Sequence, residues 1–108
     1  MGGWAWLTIA IIGEVIGTSA LKASDGFHKF WPVLVVIIGY AVAFFALSVS
    51  LTHLPLGIAY AVWSGIGIVA ASAIGLALFG EMLSWREYAG VAVILAGVVI
   101  LNWPAAQA

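Results

Sequence analysis

The chain has 108 residues, 66% of them hydrophobic and only 6% charged, with no cysteine and a formal net charge of −1. That balance excludes a soluble domain, disulfides and thiolate metal sites, and it offers no basic patch for nucleic acid. A spanning helix needs about 20 apolar residues, so four of them consume most of the chain and leave no room for a soluble catalytic module. Residues 1–108 therefore read as one four-helix membrane domain.

The first apolar run covers about 4–21. It lacks the basic flank of a signal peptide and carries Glu14, so it is expected to be a retained span. Glu14 is the informative residue. The other charged residues (Lys22, Asp25, Lys29, Glu81, Arg86 and Glu87) fall in two short segments between apolar runs. An acid at bilayer depth costs roughly 2.5–3.5 kcal/mol on insertion scales, and its default reading is a cation or proton site. Leu7, Ala10, Ile11, Gly17 and Thr18 share its face by three- and four-residue spacing, as does Leu21. The small Ala10, Gly17 and Thr18 let another helix or a flat ligand approach the carboxylate, whereas Gly13 and Gly17 equally suit helix packing. No Lys, Arg or His lies at membrane depth to pair with Glu14. Desolvation penalises its anion, so a proton or an organic cation must neutralise it. Two copies in a dimer would titrate as a coupled pair.

A polar turn with Asp25-Gly26 leads to the second run, about 32–52, which carries Tyr40, Ala43 and Phe44. Tyr40 offers either an aromatic face to a cation or ordinary packing. Ala43 and Phe44 are expected to line the same pocket. His53-Leu54-Pro55-Leu56-Gly57 breaks the chain again. In the third run, about 57–79, Tyr60 and Trp63 stand three residues apart on one face. Trp4, Trp6, Trp31, Trp85 and Trp103 mark helix ends, where indole suits the headgroup boundary; Trp63 does not. Cation–π contact with such rings is worth about 2 kcal/mol when desolvated, and core packing is the plainer reading. Gly65 and Gly67 are a candidate hinge or a packing pair. After Gly80–Arg86, read as a solvated turn together with Glu87, the fourth run covers about 86–103. There Gly90 and Gly97 lie a heptad apart beside Ala89 and Ala96, a smooth stripe suited to dimerisation.

Runs of this length exclude barrel strands, which need only about 9–11 residues. No internal repeat is visible, and four helices are too few to wall a substrate cavity from lipid, so a second copy is expected to supply what a repeat would. Lys22, Lys29 and Arg86 on one side would place both termini outside by the positive-inside rule. The missing repeat argues instead for insertion in both orientations. No nucleophile–base pair, phosphate loop or metal cluster is visible, and neither an enzyme nor a cofactor is expected. His28 and His53 fall in interfacial loops.

The segments Gly13-Glu14-Val15-Ile16-Gly17-Thr18, Leu21-Lys22, Gly26-Phe27, Trp31-Pro32 and Gly57-Ile58-Ala59-Tyr60-Ala61-Val62-Trp63-Ser64-Gly65-Ile66-Gly67-Ile68-Val69 resemble the small multidrug resistance transporters over nearly the whole chain. The resemblance implies an all-α protein with four transmembrane helices per subunit, paired as an antiparallel, dual-topology homodimer in the bacterial inner membrane. It implies that Glu14 binds either protons or a cationic drug, that Tyr40, Tyr60 and Trp63 line the shared site, and that Gly90 and Gly97 lie in the dimerising helix. Activity is then export of quaternary ammonium and other lipophilic cations in exchange for protons. A guanidinium-exporting branch typically has a tryptophan and a serine where this chain has Gly17 and Ala43, which favours the quaternary ammonium branch. Ala43 also departs from the serine common among drug exporters. The alternatives are a guanidinium or polyamine exporter and a non-transporting membrane subunit of a heteromeric complex.

Overall fold

A computed structural model describes residues 2–103, which form four α-helices and, among the described residues, no strand. Helix α1 spans Gly3–Ala23, α2 Phe30–Ser50, α3 Leu56–Phe79 and α4 Trp85–Leu101. The second helix opens and closes two residues earlier than its apolar run, at Phe30 and Ser50. Its Val- and Ile-rich sequence would favour a strand in a water-facing sheet. In hydrocarbon every backbone N–H must be satisfied inside its own segment, and the helix does this. Pro32 is harmless because it falls in the first turn, where its missing N–H has no helical acceptor.

α1, α2 and α3, with 21, 21 and 24 residues and mean hydropathies of 1.5, 2.5 and 2.0, are long and apolar enough to cross a bilayer. α4 has 17 residues. At the α-helical rise it reaches about 25 Å, short of a hydrocarbon core of about 30 Å. Its run, expected to reach 103, closes at Leu101 because Asn102 caps it, the side-chain amide donating to the Val98 carbonyl at 3.0 Å.

The chain divides into two compact units between Pro55 and Leu56. In the first, α1 and α2 meet backbone to backbone. A Cβ on Gly13 would lie 2.9 Å from the Gly39 carbonyl oxygen, and one on Gly39 would lie 2.8 Å from that of Gly13 and 3.0 Å from the Gly17 nitrogen. Ala43 continues the same line, its nitrogen 3.2 Å from the Gly13 position. Gly13-x3-Gly17 thus fits against Gly39-x3-Ala43, which is how small residues let helices associate without a hydrophobic driving force. Gly13 and Gly17 are packing residues of this seam. Other large side chains of α2 point outward: Ile37, Ile38 and Phe45 are exposed, as a lipid-facing surface requires.

The reversal between these helices is held by Ser24, which is fully buried. Its hydroxyl donates to the Leu21 carbonyl at 2.7 Å and accepts from the Phe27 N–H at 3.0 Å. Its carbonyl accepts from the N–H groups of His28 and Lys29 at 2.9 and 3.0 Å. Asp25, Gly26 and Phe27 are all left-handed, with φ of 52°, 67° and 68°. For Asp25 and Phe27 that conformation costs roughly 1–2 kcal/mol each, and the Ser24 bonds offset it.

In the second unit, α3 runs without interruption through Gly65 and Gly67. A Cβ on Gly65 would lie 2.8 Å from Val98 Cγ2, so α4 packs closely there. Gly80, at φ 65°, ends the helix. The Glu81 N–H then folds back to donate to the Gly75 carbonyl at 2.9 Å. Ser84 caps α4: its Oγ accepts from the Glu87 N–H and donates to the Glu87 carboxylate, both at 3.3 Å. Arg86 and Glu87 therefore belong to the first turn of α4 and not to a solvated turn, and the Ser-x-x-Glu capping spacing marks that start.

Candidate functional site

Glu14 lies midway along α1, half-buried. Its Oε1 accepts a hydrogen bond of 2.8 Å from Thr18 Oγ1, one turn further along the same helix. Thr18 Oγ1 is in turn 2.7 Å from the Tyr40 hydroxyl of α2. The seam makes this second contact possible. Gly17 presents no side chain, so the Tyr40 ring lies over it, its carbons 3.1 Å from where a Cβ would stand. The phenol end then reaches Thr18.

The other expected residues are divided between the two units. Leu7, Ala10 and Ile11 are buried on the same helix, and Ala43 is fully buried in the seam. Phe44, exposed, stands beside Tyr40 with ring centroids 6.2 Å apart and planes at 47°. On α3, Tyr60 and Trp63 form an edge-to-face pair, centroids 6.4 Å apart at 83°, with Tyr60 exposed and Trp63 half-buried. Their ring planes are thereby set nearly at right angles, the edge of one against the face of the other. Gly90 and Gly97 on α4 are exposed, and a Cβ at either would meet nothing within 4 Å.

Residues 2–94 match the Small Multidrug Resistance protein family. The quaternary ammonium compound-resistance protein QacE of Escherichia coli is 54% identical over 102 residues, covering 94% of this chain and 93% of its own. The multidrug resistance protein EbrA of Bacillus subtilis is 49% identical over 102 residues, covering 94% and 97%. QacF of Klebsiella aerogenes, also named for quaternary ammonium resistance, is 47% identical, covering 94% and 93%. The chain belongs to the small multidrug resistance family. It is a drug-efflux transporter, a helical membrane protein of the multidrug-resistance type.

Two features of this family member were not foreseen from its sequence. Thr18 reads there as a small residue beside the acid, whereas it is the acid's hydrogen-bond donor; the Glu-x-x-x-Thr spacing, one helical turn, is the signal for it. Gly39 was not singled out, although Gly39-x3-Ala43 has the same spacing as Gly13-x3-Gly17.

Proposed function

We propose that the chain is a proton-coupled antiporter that exports quaternary ammonium and other lipophilic, aromatic cations across a bacterial inner membrane, giving multidrug and antiseptic resistance. The observation that carries the reading is a half-buried carboxylate, Glu14, in the middle of a helix long and apolar enough to span. Relatives named for quaternary ammonium resistance, similar over nearly their full lengths, support the substrate class.

The working unit in this proposal is an antiparallel homodimer of four-span subunits, in which two copies of Glu14 face one cavity walled by Tyr40, Tyr60 and Trp63. α4 spans despite its 17 residues, because hydrophobic mismatch costs only a fraction of a kcal/mol per Å. The cation binds when a Glu14 is ionised and leaves when protons return. Exclusivity supplies the coupling: proton and drug neutralise the same oxygens. Aromatic faces with few directional polar groups select by charge and contact area, which makes for a broad substrate range. The exposed, unobstructed stripe of Gly90 and Gly97 is the dimer contact, and Gly65 and Gly67 absorb the bend as the two subunits exchange conformations.

The test is proton-driven uptake of tetraphenylphosphonium into proteoliposomes. Wild type accumulates the cation in response to a pH gradient, and Glu14→Gln, which keeps the shape and removes the charge, does not. Gradient-driven uptake by Glu14→Gln would defeat the proposal. The same vesicles challenged with guanidinium separate the quaternary ammonium exporter, which ignores it, from the guanidinium branch.

A further inference from the structure

Glu14, Thr18 and Tyr40 form a chain whose direction is set by proton counting. A threonine hydroxyl has one proton. Thr18 gives its proton to Glu14 Oε1 at 2.8 Å, so across the 2.7 Å contact the Tyr40 hydroxyl donates to Thr18. Both bonds point toward the carboxylate. If Glu14 takes up a proton, its own O–H becomes the donor. Thr18 then turns its proton to Tyr40, and the phenol proton is released to face elsewhere. The chain thus has two directions, one for each charge state of the acid.

We propose that Thr18 is the positioning residue for Glu14, linking the carboxylate to the Tyr40 phenol in a hydrogen-bond chain that reverses when the acid is protonated. The inference rests on the reading of Glu14 as the exchange site and adds to it the group that presents the acid. α2, the helix packed on α1, carries Tyr40 as its one titratable residue. Ala43, which has no hydroxyl, is fully buried in the seam. Tyr40 therefore acts through two separate parts, its ring toward a cation and its hydroxyl toward Thr18.

The experiment measures proton release and tetraphenylphosphonium binding by the full-length dimer in detergent across pH. Thr18→Val removes the hydroxyl at nearly constant volume, Thr18→Ser restores it, and Tyr40→Phe removes only the outer link. A hydrogen bond to a charged group is worth enough to change affinity by roughly tenfold or more. In Thr18→Val the midpoint for proton release should accordingly move to higher pH by about one unit, with weaker cation binding below it. Thr18→Ser should return to the wild-type midpoint, and Tyr40→Phe should move the same way as Thr18→Val but by less. Wild-type midpoints in both Thr18→Val and Tyr40→Phe would overturn the proposal while leaving Glu14 as the exchange site. Proton release persisting in Glu14→Gln would instead remove the site itself. Should Thr18→Val fail to fold, an unshifted Tyr40→Phe is enough to overturn the chain.

Discussion

Gly39→Ala is the sharpest perturbation of this structure available with a single methyl group. The added carbon would stand 2.8 Å from the Gly13 carbonyl oxygen and 3.0 Å from both the Cα and the nitrogen of Gly17. All three are backbone atoms, so no rotamer change relieves the clash. To reach the 3.4 Å at which ordinary contact begins, α1 and α2 must part by roughly 0.6 Å, and overpacking of this kind costs about 1–3 kcal/mol. The same movement stretches the 2.7 Å contact between Thr18 and the neighbouring Tyr40 toward the limit of a useful hydrogen bond. Thermal unfolding in detergent, followed by circular dichroism, should show a lowered midpoint for Gly39→Ala. Gly57→Ala is the control: a Cβ there meets nothing within 4 Å, and its midpoint should be unchanged or slightly raised. A Gly39→Ala protein that melts with the wild type would refute the backbone-contact account of the seam.

Other expectations follow from the same reasoning. Among the described residues Gly97→Ala meets nothing within 4 Å, and alanine is intrinsically the better helix former by roughly 1 kcal/mol; if the proposed dimer pairs at that stripe, the substitution should weaken self-association on size-exclusion chromatography, and an unchanged elution would place the contact elsewhere. Ser24→Ala leaves the buried turn without its side-chain acceptor for Phe27 N–H and should lower stability by about 1–3 kcal/mol, read as a shifted urea or heat midpoint. Glu14→Asp keeps the charge but is intrinsically the stronger acid, so the pH profile of cation binding should move to the acid side; an unmoved profile means another group titrates.

Much of the fold was legible in the order of residues because a bilayer allows so few backbone solutions. Polar breaks at Lys22–Lys29, His53–Gly57 and Gly80–Arg86 separate runs too long for strands, and helices are what remain. Glu14 was legible for a related reason: it is the one charged residue in an otherwise uncharged apolar run. What sequence reasoning missed depends on register between helices. Nothing local says that Gly39 faces Gly13, or that the Tyr40 phenol reaches Thr18 across a bare Gly17. The start of α4 is a different case, since Ser84 and Glu87 carry a local capping signal among residues that read as a loop.

The seam between α1 and α2 constrains how any motion is shared out. Interfaces that switch between two arrangements do so by slipping interlocked side chains from one set of notches to another. Where Gly13, Gly17, Gly39 and Ala43 meet, the nearest facing atoms are carbonyl oxygens, amide nitrogens and α-carbons, which offer no alternative notches. In the proposed exchange of conformations, the two helices are then expected to travel together as a single stiff plank, carrying acid, hydroxyl and phenol with them and leaving any rocking to joints outside it.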